Sequence, residues 1–598
     1  MKPVLLWSVV AAVALLALES CATQSVGPPV KPLTLSETYS REISNLISSG
    51  KPLNAIAEIS AIEKSGSTSL SPASLDRLRL QAEDKTVALF KKAVDAKNYQ
   101  NAVDLYDSAG RYHGTSAFAG WNRAKLLLGL AQSELEKGWN VPALLSFRKA
   151  LGKGADPGSA LSTFADLAIQ ENDQTTMKEI IAYLTRNKQP VPAAYTKLAN
   201  EKTTPAQTIP GVVMVWVDLG ITLQNGVGVP HAELGTGFFI DRAGYLITNY
   251  HVIRDVASPR YRGYSRLFVI PSANSNVRIP ARVVGYDKVL DIALLKTEMT
   301  PGYVFSFAPQ TPMQQGESIF AIGSPGGLQS TMTSGIISAN DRHFMQLGNT
   351  FQIDASLNPG NSGGPLLTPD AKLVGVNFAG IPEFQGINFS IPIAWVEKIL
   401  PQLYAGGEDS HPWLGVDVRE AKQGLTVIYV VPGSPAAHAG IVPGDIITSI
   451  DGKEYRSIVD AQAALLDERP GMLVSVGTLH DGKKQNELVA LGNRPFMPLR
   501  VAAERDVRQN LFPPLFGMTV QKTGGFLGQT DYRVTKVYPG SIAQQTDLSP
   551  GDPITIKGWQ VDPKQGVAVL QFYTERQKTA FLGSTVAMAA PLASHNIL

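Results

Sequence analysis

The sequence predicts a multidomain chain: an α-helical N-terminal array, a central pair of β-barrels, and two C-terminal α+β modules, the second divergent. Three observations carry this prediction. Apolar residues recur at helical spacing from about Leu35 to Ala199. The stretch from about residue 205 to 402 is rich in Val, Ile, Phe and Gly in short alternating runs, as barrels require. Beyond Gly406-Gly407, a Pro-Gly-Ser segment followed by Pro-Gly-Asp occurs twice at the same spacing. At 598 residues the chain has room for roughly four domains.

Taken in order, the chain opens with Lys2 and an apolar run from Val4 to Leu18. The run is short for a bilayer span and right for a signal-peptide core. It ends in Leu18-Glu19-Ser20-Cys21, which resembles a bacterial lipobox, although Glu19 stands where a small residue is usual. Export is therefore expected for residues 1–21. The resemblance implies lipidation of Cys21, which would hold the protein to a membrane by burial of acyl CH₂ groups. Ala22 in the next place points to the outer membrane. Cys21 is the single cysteine, so no disulfide forms within one chain. Residues 22–34, with Pro28, Pro29 and Pro32, read as a tether.

Residues 35–200 follow as helices. The sets Leu89, Phe90, Tyr99, Ala102, Tyr106, Ala109, then Leu130, Ala131, Gly138, Ala143, Phe147, Ala150, then Ala165, Asn172, Met177, Ile181, Leu184 alternate small and large residues. Their spacing resembles tetratricopeptide helix pairs, and Ala143 and Met177 stand one repeat period of about 34 residues apart. A groove for a partner protein and an ordinary helical core both fit this pattern. Thr203–Pro210 reads as a linker.

The central portion carries the chemistry. Gly360-Asn361-Ser362-Gly363-Gly364-Pro365 places a serine among glycines, whose backbone freedom lets successive N–H groups converge on one point. Upstream, the run Tyr245-Leu246-Ile247 leads into Thr248-Asn249-Tyr250-His251, where a strand holds an imidazole that can take and return a proton. Asp291 opens the apolar run Ile292-Ala293-Leu294-Leu295, a poor place for an idle charge. Its natural task is to accept the second ring N–H of His251. Asp287 is the rival, reading instead as a turn residue. The chain order His, Asp, Ser is that of chymotrypsin-like double barrels.

The blocks Gly235-Thr236-Gly237-Phe238-Phe239-Ile240, Thr248–Ile253, Asp291–Leu295, Ala321–Gly327, Thr333–Ser338, Gln352–Pro365 and Gly386–Pro392 stand in the order of the HtrA/Deg proteases, which this chain resembles over roughly residues 205–490. The resemblance implies His251, Asp291 and Ser362 as catalytic triad, and the amides of Gly360 and Ser362, with Asn361 between them, around the oxyanion. It also implies a substrate pocket bordered by Ile387, Asn388, Phe389 and Ser390, suited to a small or medium apolar side chain. Ala394–Leu400 reads as an amphipathic helix closing the domain.

Residues 409–492 resemble a bacterial PDZ domain through Trp413-Leu414-Gly415-Val416, Pro432-Gly433-Ser434-Pro435-Ala436 and Pro443-Gly444-Asp445. A peptide adds to such a module as an extra strand, its terminal carboxylate caught by amides of the Trp413–Val416 loop, with a helix at Ser457–Leu466 as the other wall. Residues 500–598 hold a divergent copy, with Pro539-Gly540-Ser541, Pro550-Gly551-Asp552 and Leu515-Phe516-Gly517-Met518 in the matching places.

A net charge of +2 and the lack of a dense Lys/Arg run argue against nucleic acid. Scattered histidines, no HExxH and no Walker loop predict a protein without metal or cofactor. The expected function is an ATP-independent serine endopeptidase on the periplasmic side of a bacterial envelope, acting on unfolded or partner-delivered polypeptides. The alternative is a chaperone-like scaffold with a dormant protease fold. The family resemblance implies quality control of exported proteins and trimer-based assembly, though the family's aromatic trimer contacts cannot be placed here.

Overall fold

A computed structural model describes residues 34–66, 69–257, 266–274, 276–307, 313–324, 330–380, 386–524, 531–575 and 583–598. The signal, Cys21 and most of the expected tether lie outside these residues. No helix among the described residues is long and apolar enough to cross a membrane.

The N-terminal region is helical, as its spacing predicts. It contains α1 (Leu35–Ser48), α2 (Pro52–Lys64), α3 (Pro72–Asp95), α4 (Tyr99–Gly110), α5 (Arg123–Glu136), α6 (Asn140–Gly152), α7 (Ala160–Gln170), α8 (Gln174–Arg186) and α9 (Ala193–Ala199). Four hairpins, α1–α2, α3–α4, α5–α6 and α7–α8, turn on a residue of positive φ: Gly50, Lys97, Gly138 and Asn172. After each, the next N–H donates back to a carbonyl five residues earlier, as in Asn98 to Ala93 (2.8 Å) and Asp173 to Ala168 (2.8 Å). That bond satisfies a carbonyl the helix end would otherwise leave open. Phe147 stacks on Phe164 at 4.2 Å, joining α6 to α7.

Two barrels follow. Strands β1 (Val212–Gln224), β2 (Val227–Phe239), β3 (Tyr245–Thr248), β4 (Arg266–Pro271), β5 (Ile279–Asp287) and β6 (Ile292–Thr297) close through the β5–β6 pairing. The second barrel comprises β7 (Ser318–Gly323), β8 (Thr331–Arg342), β9 (Thr350–Ile353), β10 (Pro365–Leu367), β11 (Leu373–Gly380) and β12 (Asn388–Pro392). Inward residues such as Phe238, Ile247, Leu294, Ile322, Val376 and Ile391 are fully buried. The helix α10 (Tyr250–Ala257) caps β3, and α11 (Ile393–Ala405) leaves β12. The short strand β13 (Gly407–Glu408) then runs parallel beside β5, fastening the inter-module linker to the first barrel.

The first α+β module holds β14 (Pro412–Trp413), β15 (Val416–Ala421), β16 (Gly424–Val430), α12 (Pro435–His438), β17 (Ile446–Ile450), β18 (Lys453–Glu454), α13 (Ile458–Leu465), β19 (Leu473–His480), β20 (Lys483–Ala490) and β21 (Gly492–Asn493). The second holds α14 (Pro498–Arg505), α15 (Phe512–Phe516), β22 (Met518–Gly524), β23 (Asp531–Val537), α16 (Ile542–Gln545), β24 (Pro553–Asp562), β25 (Val567–Glu575) and β26 (Gly583–Pro591). It lacks a counterpart of α13: β24 turns directly into β25 across Pro563–Gly566. Among the described residues no helix takes the place of that wall. Its Gly517 N–H is also spent on the Pro513 carbonyl (3.1 Å) as the end of α15. The sequence match at Leu515–Met518 therefore marks a turn and not a carboxylate loop.

The helical array packs against both neighbours. Leu473 and Ala490 of the first module share a core with Ile59, Leu105 and Phe90. Arg111 bridges Asp451 and Glu468 of that module, with only 14% of its side chain exposed. Val141 and Leu145 of α6 join the protease core beside Tyr404.

Candidate active site

His251 is the second residue of α10, and Asp291 sits at the turn from β5 to β6. Because β3 pairs with β6, the end of one strand and the start of the other are neighbours. Asp291 has φ of 53°, a left-handed conformation that aspartate tolerates better than most residues. This turn aims its carboxylate at His251. Oδ1 accepts the His251 backbone N–H (2.8 Å), and Oδ2 lies 2.7 Å from Nδ1. The Asp291 carbonyl accepts from Asn249 Nδ2 (2.9 Å) and from the Tyr250 N–H (3.1 Å), so four contacts fix one residue. An ionised carboxylate can only accept, which leaves Nδ1 as donor and Nε2 with its lone pair.

Ser362 is held just as firmly by its backbone. Its carbonyl accepts the Thr236 N–H (2.8 Å) from β2, and the next amide, Gly363, donates to Asn377 O (2.7 Å) on β11. The loop is thus stitched between the barrels. A Cβ on Gly363, where φ is 86°, would stand 2.2 Å from Thr236 O, so glycine is required. The Ser362 hydroxyl donates to the Phe378 carbonyl (3.2 Å) and not to His251. To give its proton to the imidazole, the hydroxyl must turn away from that carbonyl. Such hydrogen bonds are commonly loose without substrate.

The N–H groups of Gly360 and Ser362 have no carbonyl partner among the described residues, whereas that of Asn361 donates to Asn358 O (3.0 Å). Two free donors therefore stand beside the serine, on either side of Asn361, whose amide closes a turn. Thr236, a residue quoted in the sequence only as part of a strand motif, takes part here. Fully buried, its hydroxyl donates to Gly360 O (2.6 Å) and accepts the Ser324 N–H (3.0 Å). It fixes the plane of the Gly360–Asn361 peptide. A Thr after a Gly at a strand end carries no signal of such a role.

Of the four expected pocket residues, alternation along the strand separates two pairs. Phe389 faces an aromatic wall, 4.6 Å from Phe344 and 6.2 Å from Phe378, and Ile387 packs in the same apolar cluster. Asn388 and Ser390 are buried in the barrel, Asn388 donating to Ala355 O (2.9 Å). Phe344 is 51% exposed, and the wall it makes with Phe378 and Phe389 is uncharged.

The rival Asp287 is occupied elsewhere. One carboxylate oxygen accepts from the Val289 and Leu290 amides (2.8 and 3.0 Å), and the other lies 2.9 Å from His411 Nε2 in the linker. Asp409 joins them, its carboxyl pushed up to about 7 by burial and by the Asp287 charge. The three side chains bring donor atoms within 4.8 Å of one another, and the buried guanidinium of Arg494 faces the cluster.

Comparison with known proteins bears on this arrangement. A trypsin-like peptidase domain matches residues 235–376, a PDZ domain residues 412–491, a TP0546 family PDZ domain residues 499–592, and a domain of unknown function (DUF8517) residues 36–111. A protein of Chlamydia pneumoniae described as "Probable periplasmic serine endoprotease DegP-like" is 32% identical over 343 residues, covering 54% of this chain and 67% of that protein. One from Marinomonas sp. with the same description is 30% identical over 54% of this chain and 71% of its own length. The chain belongs to the HtrA/DegP-like family of serine endoproteases. Among solved structures, the HtrA-type protease AlgW with a decapeptide is similar over 48% of this chain and 97% of its own, at 26% identity and a TM-score of 0.42.

In this DegP-like chain the first PDZ module has a full groove between β15 and α13. The amides of Leu414, Gly415 and Val416 converge on the Leu598 oxygen at 3.2, 2.8 and 3.5 Å. Trp413, expected in that loop, lies in β14, where it pairs with Gly492 of β21, and packs toward the second module.

Proposed function

We propose that this protein is an ATP-independent periplasmic endopeptidase in which Ser362 is the nucleophile, His251 the base and Asp291 its orienting partner. The 2.7 Å contact between His251 Nδ1 and Asp291 carries the reading, because it leaves Nε2 free to accept a proton from the adjacent serine loop. Ser362 Oγ attacks the substrate carbonyl and its proton passes to Nε2. The negative oxygen accepts from the Gly360 and Ser362 amides. His251 then returns the proton to the leaving amine, and water repeats the cycle on the acyl-enzyme. Phe344, Phe378 and Phe389 favour an apolar side chain before the scissile bond. The helical array holds the first PDZ module against the protease, and that module recruits polypeptides. Cys21 in its lipobox-like setting would anchor the protein to the outer membrane.

Cleavage of unfolded casein by the full chain tests this directly. Ser362→Ala is expected to lower turnover by about 10⁶-fold, the scale for loss of a serine nucleophile. Equal peptide release by both proteins would reject the mechanism.

A further inference from the structure

The groove of the first PDZ module is filled by the chain's own last residues. Leu598 N–H donates to Val416 O (3.0 Å), Val418 N–H donates to Asn596 O (3.0 Å), and Ile597 lies opposite Asp417 in an antiparallel bridge. This is strand addition, the mode by which PDZ modules bind peptides. Alternation along the added strand splits the two apolar side chains. Leu598, 2% exposed, enters the core of the first module, and Ile597, 0% exposed, enters that of the second. Further contacts hold the preceding residues: Gln462 Nε2 of α13 donates to His595 O (2.7 Å), and Arg494 donates to Ser594 O (3.3 Å).

We infer that residues 594–598 are a tethered ligand that an incoming peptide carrying the same apolar residues must displace. The second module presents the ligand that fills the groove of the first. The occupied groove also touches the protease. The Gln462 Oε1 that accepts from Gly348 N–H (2.8 Å) belongs to the side chain holding His595. His595 stacks on His343 at 5.0 Å, and Phe344, next in sequence, stacks on Phe389 of the substrate wall. One loop, between β8 and β9, thus meets both the docked tail and the pocket.

The inference rests on reading residues 412–491 as a peptide-binding module and not on the protease chemistry, so its test uses binding alone. A fluorescent peptide of sequence Ser-His-Asn-Ile-Leu with a free carboxylate is titrated into the full chain, into Leu598→Asp, and into the chain lacking Asn596–Leu598. A ligand on a short tether acts at an effective concentration of about millimolar, so both variants should bind the peptide at least ~10-fold more tightly than the unaltered protein. The C-terminally amidated peptide should bind far more weakly. Amide hydrogen exchange guards against a variant that fails to fold: excess peptide should leave Val418 protected in the variants, where peptide replaces the tail. Equal affinity in all three proteins, undetectable binding included, or no gain of Val418 protection on adding peptide to the variants, would overturn the inference.

Discussion

At the residue scale, Thr236 is the test of how the serine loop is shaped. Its hydroxyl joins the Gly360 carbonyl to the Ser324 amide inside the protein. Thr236→Val keeps the shape and strands both partners, which costs about 1–3 kcal/mol of stability. Because the same bond orients the serine loop, kcat should fall roughly 10- to 100-fold with KM little changed. Thr236→Ser should restore most of both, read by steady-state kinetics and urea unfolding. The pairing of His251 with Asp291 was legible in sequence because each stands in a motif with a chemical reason for its residue type. Asp291 was separable from Asp287 by its place at the strand, and the structure gives Asp287 to His411. Thr236 was not legible: a buried hydroxyl bridging two loops leaves no local trace, since its partners are 88 and 124 positions away.

At the scale of elements, the docked tail should respond to acid. Burial, with smaller contributions from His343 and Arg419, pushes the His595 imidazole down to about 4. The released tail, its imidazole titrating near about 6.5, binds a proton across the window between these values while the docked tail does not. The imidazole's contribution to docking is therefore full above the upper value and is lost as pH falls through the window, while Asp417, opposite Ile597 and pushed up to about 7 by burial, contributes in the opposite sense. Arg494, bonded to Ser594 O, adds positive charge on the same side. Between pH 7.5 and 5, at matched intrinsic rates, exchange protection at Val418 should therefore fall relative to that of His595→Gln, which lacks the imidazole's contribution. The tail escaped sequence reading because Asn596-Ile597-Leu598 is too short for periodicity. The missing groove helix of the second module was also overlooked. The repeated Pro-Gly-Ser and Pro-Gly-Asp turns signal the turns flanking strands and say nothing of the wall opposite.

Across the whole molecule, the helical array acts as a brace between protease and first PDZ module. Arg111 is its most buried ionic contact with that module, facing Asp451 and Glu468. Removing one partner leaves the others buried and unpaired, at a cost of about 3–5 kcal/mol. Arg111→Ala should therefore loosen the array from the module, seen as faster proteolytic nicking near residue 111 while casein cleavage by the barrels persists. The helical character and the two modules were legible from periodicity and turn signatures. How they dock was not, because Leu473 and Ala490 read as ordinary strand residues until Ile59 and Leu105 are seen against them. The central claim concerns three side chains, and a serine-directed fluorophosphonate tests it most directly. Mass spectrometry of the labelled full chain should find the adduct on Ser362, with labelling lost in His251→Ala. An adduct on another serine, or labelling undiminished without the imidazole, would contradict the account.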